Sequence, residues 1–119
     1  MSKLALGSVQ FGMDYGISNT GGRVPFREVE KILNLAMENG INTLDTAPGY
    51  GNSEQVLGEI GVNDFHIVTK TIPLKLGVDN VLQSFYQSLT DLNTTSVDGL
   101  LIHNISDIKD KQFDALYKE

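Results

Sequence analysis

No cysteine occurs among the 119 residues, which excludes thiol catalysis, thiolate metal sites and disulfide bonds. Positive charge is also scarce, because nine Lys and Arg stand against 15 Asp and Glu, giving a net charge of −6 at pH 7. A nucleic-acid surface needs clustered Lys and Arg to neutralise phosphates, and here the basic residues are scattered. The composition therefore argues against a nucleic-acid partner, and we expect no metal site.

Long apolar runs are absent as well. No stretch approaches the roughly 20 apolar residues of a membrane-spanning helix. Near the amino terminus, Gly7 and Ser8 break an apolar stretch that is already too short for a signal peptide. We therefore expect a cytoplasmic protein without membrane contact.

The glycine-rich sequences of nucleotide-binding sheets are missing too. Gly7 and Gly12, which follow the first apolar run, have the wrong spacing for G-x-G-x-x-G, and no G-K-[ST] sequence is present. Both absences weaken an interpretation as a nucleotide-binding open sheet.

The apolar residues that are present alternate between short strand-like runs and longer helix-like runs. This alternation is typical of repeated βα units and a parallel sheet. The first helix should begin near Pro25 and end at Gly40, and Asn52 with Gln55 resembles a capping box that opens the second. The predicted strands are residues 4–9, 41–46, 65–69 and 97–102, and the predicted helices are residues 25–39, 52–60, 78–92 and one from near Asp110.

Within the first predicted helix, apolar residues recur at i, i+3, i+4, i+7 and i+8 and should form one buried stripe. These residues are Val29, Ile32, Leu33, Ala36 and Met37. Charged residues of the same helix, namely Glu28, Glu30, Lys31 and Glu38, should lie on its solvated side.

Four βα units with right-handed crossovers form either half of a (β/α)8 barrel or a small open α/β sheet, and the chain length permits both. No linker or internal repeat divides the chain, so residues 1–119 are expected to form a single domain.

Polar residues stand where three of the predicted strands end. Asp45 closes the second strand, Lys70 the third and His103 the fourth, while Tyr50 lies in the loop after Asp45. In a parallel barrel the strand ends converge on one edge, where functional side chains gather. The sequence therefore predicts that these four ionisable groups share one site. His66 begins the third strand at the opposite end, which favours a structural role.

The residues around Asp45 resemble a known family. Residues 45–54 read Asp-Thr-Ala-Pro-Gly-Tyr-Gly-Asn-Ser-Glu, similar to the aldo-keto reductase signature, in which an Asp-Thr-Ala strand end leads through Tyr-Gly to a Ser-Glu helix start. The strand ends Val-Thr-Lys at 68–70 and Leu-Ile-His-Asn at 101–104 resemble the next two elements of that family, in the same order. This resemblance implies that residues 1–119 are the amino-terminal half of a (β/α)8 TIM barrel, with about four βα units.

The resemblance also implies roles for the four residues. Tyr50 would act as general acid toward an aldehyde or ketone that receives hydride from NADP(H). Lys70 and Asp45 would form the charge pair behind it, and His103 would orient the carbonyl oxygen. An ammonium group beside a phenol favours its ionised form, and donors to the developing oxyanion stabilise the transition state.

Further contacts follow from the same resemblance. Ser8 and Gln10, in the loop after the first strand, and Asp45 would contact the cofactor, although most of its binding site would lie in the later half. Tyr50, His103 and Asn104 would contact the substrate. Because Val9 and Asn104 replace aromatic residues of other members, the substrate is expected to differ from theirs.

Other interpretations remain open. Each of the four residues taken singly has a structural explanation, such as a turn-forming aspartate or a solvated lysine. The isolated chain, which lacks half of a barrel, is expected to be inactive and either to self-associate or to pair with the missing carboxy-terminal half. A non-catalytic half-barrel is one alternative, and a Schiff-base aldolase that uses Lys70 is another.

Overall fold

The computed structural model describes residues 3–16, 21–109 and 116. Four strands alternate with helices along the described chain, as the apolar pattern predicts. The last predicted helix, from near Asp110, lies outside the described residues except for Leu116. The elements are β1 (Leu6–Gly7), α1 (Val9–Gly12), α2 (Phe26–Glu38), β2 (Thr43–Asp45), α3 (Ser53–Ile60), β3 (His66–Lys70), α4 (Val78–Asp91) and β4 (Gly99–Leu101), with 3₁₀ turns at Leu74–Leu76 and Ile105–Lys109.

The four strands form one parallel sheet in the order β1-β2-β3-β4. Each strand therefore pairs with the next strand along the chain, which is the arrangement of a barrel wall rather than of a doubly wound sheet. Because all strands run the same way, their carboxyl ends meet at one edge. The prediction of four parallel strands with intervening helices is confirmed.

The core lies between the sheet and the helices that cover one of its faces. Leu44 of β2 and Ile67 of β3 contribute from the sheet, and α2 contributes Val29 and Leu33. The predicted stripe of α2 is correct except at Met37, which is exposed. At 100° per residue Met37 lies about 80° around the helix from Val29, at the edge of the buried sector. The buried cluster comprises Phe11, Val29, Leu33, Leu44, Leu57, Val62, Ile67 and Leu92.

The first strand is shorter than predicted. Instead of extending to Val9, the chain turns at Ser8 into the single helical turn α1, which buries Phe11 in the core. This turn packs directly on the loop after β2. A Cβ atom at Gly12 would lie 1.9 Å from the carbonyl oxygen of Tyr50 and 2.3 Å from the amide nitrogen of Ser53, so only glycine fits.

The capping box predicted at the start of α3 has the right position but lacks the capping hydrogen bond from Asn52. Asn52 is the residue before the helix, but its side chain makes no capping hydrogen bond. The Oδ1 atom of Asn52 instead accepts a hydrogen bond from Nη1 of Arg23, at 3.1 Å. The side chain thus ties the loop before α2 to the start of α3.

Helices α3 and α4 approach closely at Gly58, which leads to a test of stability. A Cβ atom at Gly58 would lie 1.9 Å from the carbonyl oxygen of Asp91, a backbone atom that cannot move away alone. We expect Gly58→Ala to lower the free energy of unfolding by about 2 kcal/mol or more, as overpacked cores do. Urea unfolding measures this loss, and Gly21→Ala, where a Cβ atom meets nothing within 4 Å, is the control. Equal stability of the two variants would contradict the close approach.

In the part of the chain that the structure describes, every helix is too short or too polar to cross a bilayer.

Candidate active site

The candidate site lies at the carboxyl edge of the sheet. Asp45 is the last residue of β2 and Lys70 the last of β3, while His103 follows β4 by two residues. The loop between β2 and α3 carries Tyr50. The structure brings these four side chains together, through the parallel register that aligns the strand ends.

Lys70 is held by two acceptors. Its ammonium group donates hydrogen bonds to the carboxylate Oδ1 of Asp45 and to the carbonyl oxygen of Thr46, the latter at 2.9 Å. The Lys70 side chain is only 12% exposed, whereas that of Asp45 is 44% exposed. The ammonium group is therefore held inside the site by two acceptors.

Tyr50 lies between the lysine and the histidine. The Lys70 Nζ atom is 5.0 Å from the centroid of the Tyr50 ring, and the rings of Tyr50 and His103 meet edge to face with centroids 6.4 Å apart. A phenol in this position has a positive charge on one side and a hydrogen-bonding imidazole on the other. The arrangement can deliver a proton and stabilise the phenolate that remains.

His103 and Asn104 are both exposed and follow directly after β4. The amide nitrogen of His103 donates to Thr71 Oγ1 at 3.4 Å, which links its backbone to the segment after β3. The Oδ1 atom of Asn104 accepts from the amide and the hydroxyl of Ser106, at 3.1 and 2.9 Å. The carbonyl end of Asn104 therefore caps the following turn, and a substrate contact from Asn104 stays a prediction.

Three buried hydroxyl groups hold the strand ends behind the site. Ser8 Oγ donates to the carbonyl oxygen of Asp45 at 2.8 Å, and Ser53 Oγ donates to the carbonyl oxygen of Ser8 at 2.9 Å. Thr46 Oγ1 lies 3.3 Å from Ser53 Oγ. Because Ser8 is fully buried, a cofactor reaches it only if its neighbours move. Gln10 is partly exposed, and its Nε2 atom donates to the carbonyl oxygen of Tyr15 at 3.4 Å.

Two cavities flank the Tyr50–His103 pair. The first has a volume of about 290 Å³ and is lined by Val9, Met13, Tyr15, Gly49, Tyr50 and His103. The second, of about 260 Å³, is lined by Pro48, Gly49, Thr71, Ile72, Pro73, His103 and Asn104. Apolar side chains such as Met13 and Ile72 therefore lie on both sides of the polar pair, an arrangement suited to a carbonyl group with apolar substituents.

His66 lies at the other end of β3, as predicted. Its Nδ1 atom is 3.3 Å from Oδ1 of Asp98, on the segment that leads into β4. The amide of Ile67 also donates to Asp98 Oδ2, at 2.8 Å. This backbone hydrogen bond, followed by the one from His66, lowers the pKa of Asp98 below its ordinary value of 3.8. The contacts give His66 a structural partner away from the candidate site.

Glu54 is a buried carboxyl group that the sequence interpretation did not single out. Its Oε2 atom accepts from Thr69 Oγ1 and its Oε1 atom from Ser88 Oγ, each at 2.8 Å. Desolvation by burial raises the pKa of Glu54 above its ordinary value of 4.5, although the two hydroxyl donors oppose that rise. The available signal was its position three residues before Leu57, on the apolar side of α3.

The raised pKa of Glu54 gives a pH-dependent stability. Between pH 4.5 and the raised value, the folded chain holds a proton that the unfolded chain has released, so this contribution to stability is lost as pH rises. We expect Glu54→Gln, which cannot ionise, to remove that decline. Urea unfolding from pH 4 upward measures it, with exposed Glu59→Gln as the control. Parallel pH profiles for wild type and Glu54→Gln would contradict the prediction.

The chain is similar to known aldo/keto reductases. The aldo/keto reductase family model matches residues 3–118. Among solved structures, the Pseudomonas aeruginosa protein PA4992, assigned to the aldo-keto reductases, is 28% identical with a TM-score of 0.80, and the alignment covers 96% of this chain and 49% of that one. The thermostable aldo-keto reductase Tm1743, solved with the inhibitor epalrestat, is 27% identical with a TM-score of 0.68, covering 98% and 47%.

An aldo/keto reductase from Brucella melitensis is 27% identical with a TM-score of 0.62, covering 80% of this chain and 39% of that one. The chain thus spans about half the length of PA4992 and of Tm1743. Its four parallel strands correspond to part of their TIM barrels, which confirms the partial barrel predicted from the sequence. The family match extends over nearly every residue, and the chain therefore belongs to the aldo/keto reductase family.

Proposed function

We propose that this chain supplies the proton-donating half of an NADP(H)-dependent reductase that converts an aldehyde or ketone into an alcohol. The observation that carries the proposal is the placement of the Lys70 ammonium group, fixed by Asp45, 5.0 Å from the ring of Tyr50. A general acid for carbonyl reduction needs a proton and a nearby cation to stabilise the conjugate base, and this arrangement provides both. Family membership supports an oxidoreductase in general terms.

The reaction divides among the four residues. Reduced nicotinamide, when bound, supplies the hydride. Tyr50 donates its phenolic proton to the carbonyl oxygen as negative charge develops there, and Lys70 stabilises the resulting phenolate. Asp45 keeps the ammonium group of Lys70 in place, and His103, edge-on to Tyr50, directs the carbonyl oxygen toward the phenol. Apolar substituents of the substrate occupy the two cavities beside this pair.

Gln10 and Asp45 are the described residues best suited to contact the nicotinamide end of NADP(H). Both are partly exposed at the carboxyl edge of the sheet, whereas the fully buried Ser8 supports Asp45 from behind. The remaining cofactor contacts are assigned to the part of the barrel that lies outside this chain.

A complete site requires a second half-barrel. At the end of β4, Leu100 and Leu101 are 41% and 49% exposed, and Leu4 beside β1 is also exposed. Both outer strands of the described sheet therefore present backbone edges and apolar side chains that another chain can cover. We propose that the chain either pairs with a carboxy-terminal half or associates with a second copy. The isolated monomer is then inactive. We place the protein in the cytoplasm.

A fluorescence titration with NADPH, combined with light scattering, tests the proposal. Micromolar NADPH binding by an assembly of chains, weakened by Gln10→Ala, would support it, with the exposed Gln83→Ala as the matched control. A chain that binds no NADPH, alone or with a complementary half, would instead be a non-catalytic half-barrel. The aldolase alternative is disfavoured because a Schiff base needs an amine that is free to attack a carbonyl carbon, and Lys70 Nζ is engaged by both Asp45 and the carbonyl oxygen of Thr46.

A further inference from the structure

The proposed reaction makes no use of Glu54, although burying a carboxyl group is costly. Both of its oxygen atoms have hydroxyl partners, Thr69 on β3 and Ser88 on α4. Two directed hydrogen bonds to different elements fix a carboxyl group in both position and orientation, which general apolar packing does not. Glu54 therefore joins three elements at one buried point.

One of these hydrogen bonds ends next to the candidate site. Thr69 immediately precedes Lys70, and side chains alternate across a strand, so Thr69 faces the helices while Lys70 faces the site. Thr69 is fully buried, whereas Lys70 keeps some exposure. The bond from Thr69 to Glu54 thus holds β3 from behind, one residue away from the ammonium group.

The residue that precedes Glu54 contacts the loop that carries Tyr50. Ser53, the residue before Glu54, opens α3, and its amide donates to the carbonyl oxygen of Tyr50 at 3.1 Å. The hydroxyl of Ser53 donates to the carbonyl oxygen of Ser8. The first turn of α3 therefore fixes the loop that carries Tyr50 and, through Glu54, the strand end that carries Lys70.

We propose that Glu54 is a positioning residue, which sets the separation between Lys70 and Tyr50 by tying the end of β3 to the first turn of α3. This role rests on the proposed function, because the distance between Lys70 and Tyr50 affects catalysis only if Lys70 stabilises the Tyr50 phenolate. Displacements of about 1 Å in a reacting group can reduce rates by about a hundredfold. A buried tie close to the ammonium group limits such displacements.

Reductive methylation of the lysines tests this tie without requiring turnover. The rate at each lysine is measured by mass spectrometry on the 119-residue chain, with exposed Lys75 as the internal reference. We expect Thr69→Val, which removes the hydroxyl and keeps the volume, to accelerate Lys70 relative to Lys75 by about five- to tenfold, the effect of one lost hydrogen bond. Ser88→Ala leaves the tie to β3 intact and should change the ratio by less than about twofold.

An NMR measurement on Lys70 complements the methylation rate. The Nζ atom of Lys70 lies over the Tyr50 ring, 5.0 Å from its centroid, so we expect the ring current to shift the NMR signals of the adjoining ε-methylene protons. Thr69→Val and Glu54→Ala should reduce that shift, whereas Ser88→Ala and the conservative Glu54→Gln, whose carbonyl oxygen still accepts from Thr69, should retain it. Glu59→Ala, at an exposed position of the same helix, is the matched control.

An unchanged Lys70 rate and shift in folded Thr69→Val would overturn the proposal. Parallel acceleration of all lysines would also overturn it, because that pattern reports general loosening. If Glu54→Ala does not fold, the Thr69 and Ser88 variants still decide. Absent NADPH binding together with a selective effect on Lys70 would refute the reductase and retain the tie, so the two failures are distinguishable.

Discussion

Replacing Tyr50 with Phe is expected to lower carbonyl reduction by a completed barrel by about 10²- to 10⁴-fold, the usual contribution of a general acid. The ring and its contact with His103 remain, so the loss isolates the phenolic proton. A suitable protein is a fusion of residues 1–119 to the carboxy-terminal half of Tm1743, whose fold the chain matches with a TM-score of 0.68. NADPH consumption with an aldehyde measures the rate.

The matched control is Tyr86→Phe, at an exposed position of α4. It makes the same chemical change away from the site and should leave the rate unchanged. NADPH affinity should stay near wild type in both variants, because Tyr50 acts on the substrate oxygen. A Tyr50→Phe fusion that keeps its turnover would remove Tyr50 from the role of proton donor.

Replacing Lys70 with Met is expected to reduce turnover by about 10²- to 10³-fold, the loss typical of one preorganised electrostatic group. Met keeps the unbranched shape of the side chain but removes the charge that pairs with Asp45 and that, in the proposed mechanism, stabilises the Tyr50 phenolate.

Lys75→Met, in the exposed turn after β3, is the control for Lys70→Met. Lys70→Arg should not restore full activity, since the planar guanidinium group does not fit two acceptors arranged around a single ammonium. Activity of Lys70→Met near that of wild type would contradict the proposed mechanism. Borohydride trapping of a substrate on Lys70 would favour the aldolase instead.

The site could be predicted from the sequence where its geometry follows from simple rules. Parallel strands align their carboxyl ends, so a polar residue at each strand end indicates a common site, and this rule brings Asp45, Lys70 and His103 together. The helices follow from apolar spacing because the sheet covers one side of each. The clustering of Asp45, Lys70 and His103 could therefore be predicted from the local apolar pattern and the common direction of the strands.

Contacts between distant segments were not predictable in the same way. The early end of β1 depends on Gly12 meeting the backbone at Tyr50, a contact across 38 residues. Asn52 does not cap α3, because its side-chain oxygen accepts a hydrogen bond from Arg23, in another loop, instead of from a backbone amide of the helix. Glu54 stands on the apolar side of α3, but the partners that explain its burial, on β3 and α4, are distant from it in the sequence.

The sequential order of the sheet has a consequence for synthesis on the ribosome. Each strand pairs with the one made just before it, so contacts are short in sequence and can form as the chain emerges. The pairing of β2 with β3 needs nothing beyond Lys70, and we expect the ion pair of Asp45 and Lys70 to form before His103 has emerged from the ribosome. Assembly of the site would then begin with the ion pair, with the imidazole added last.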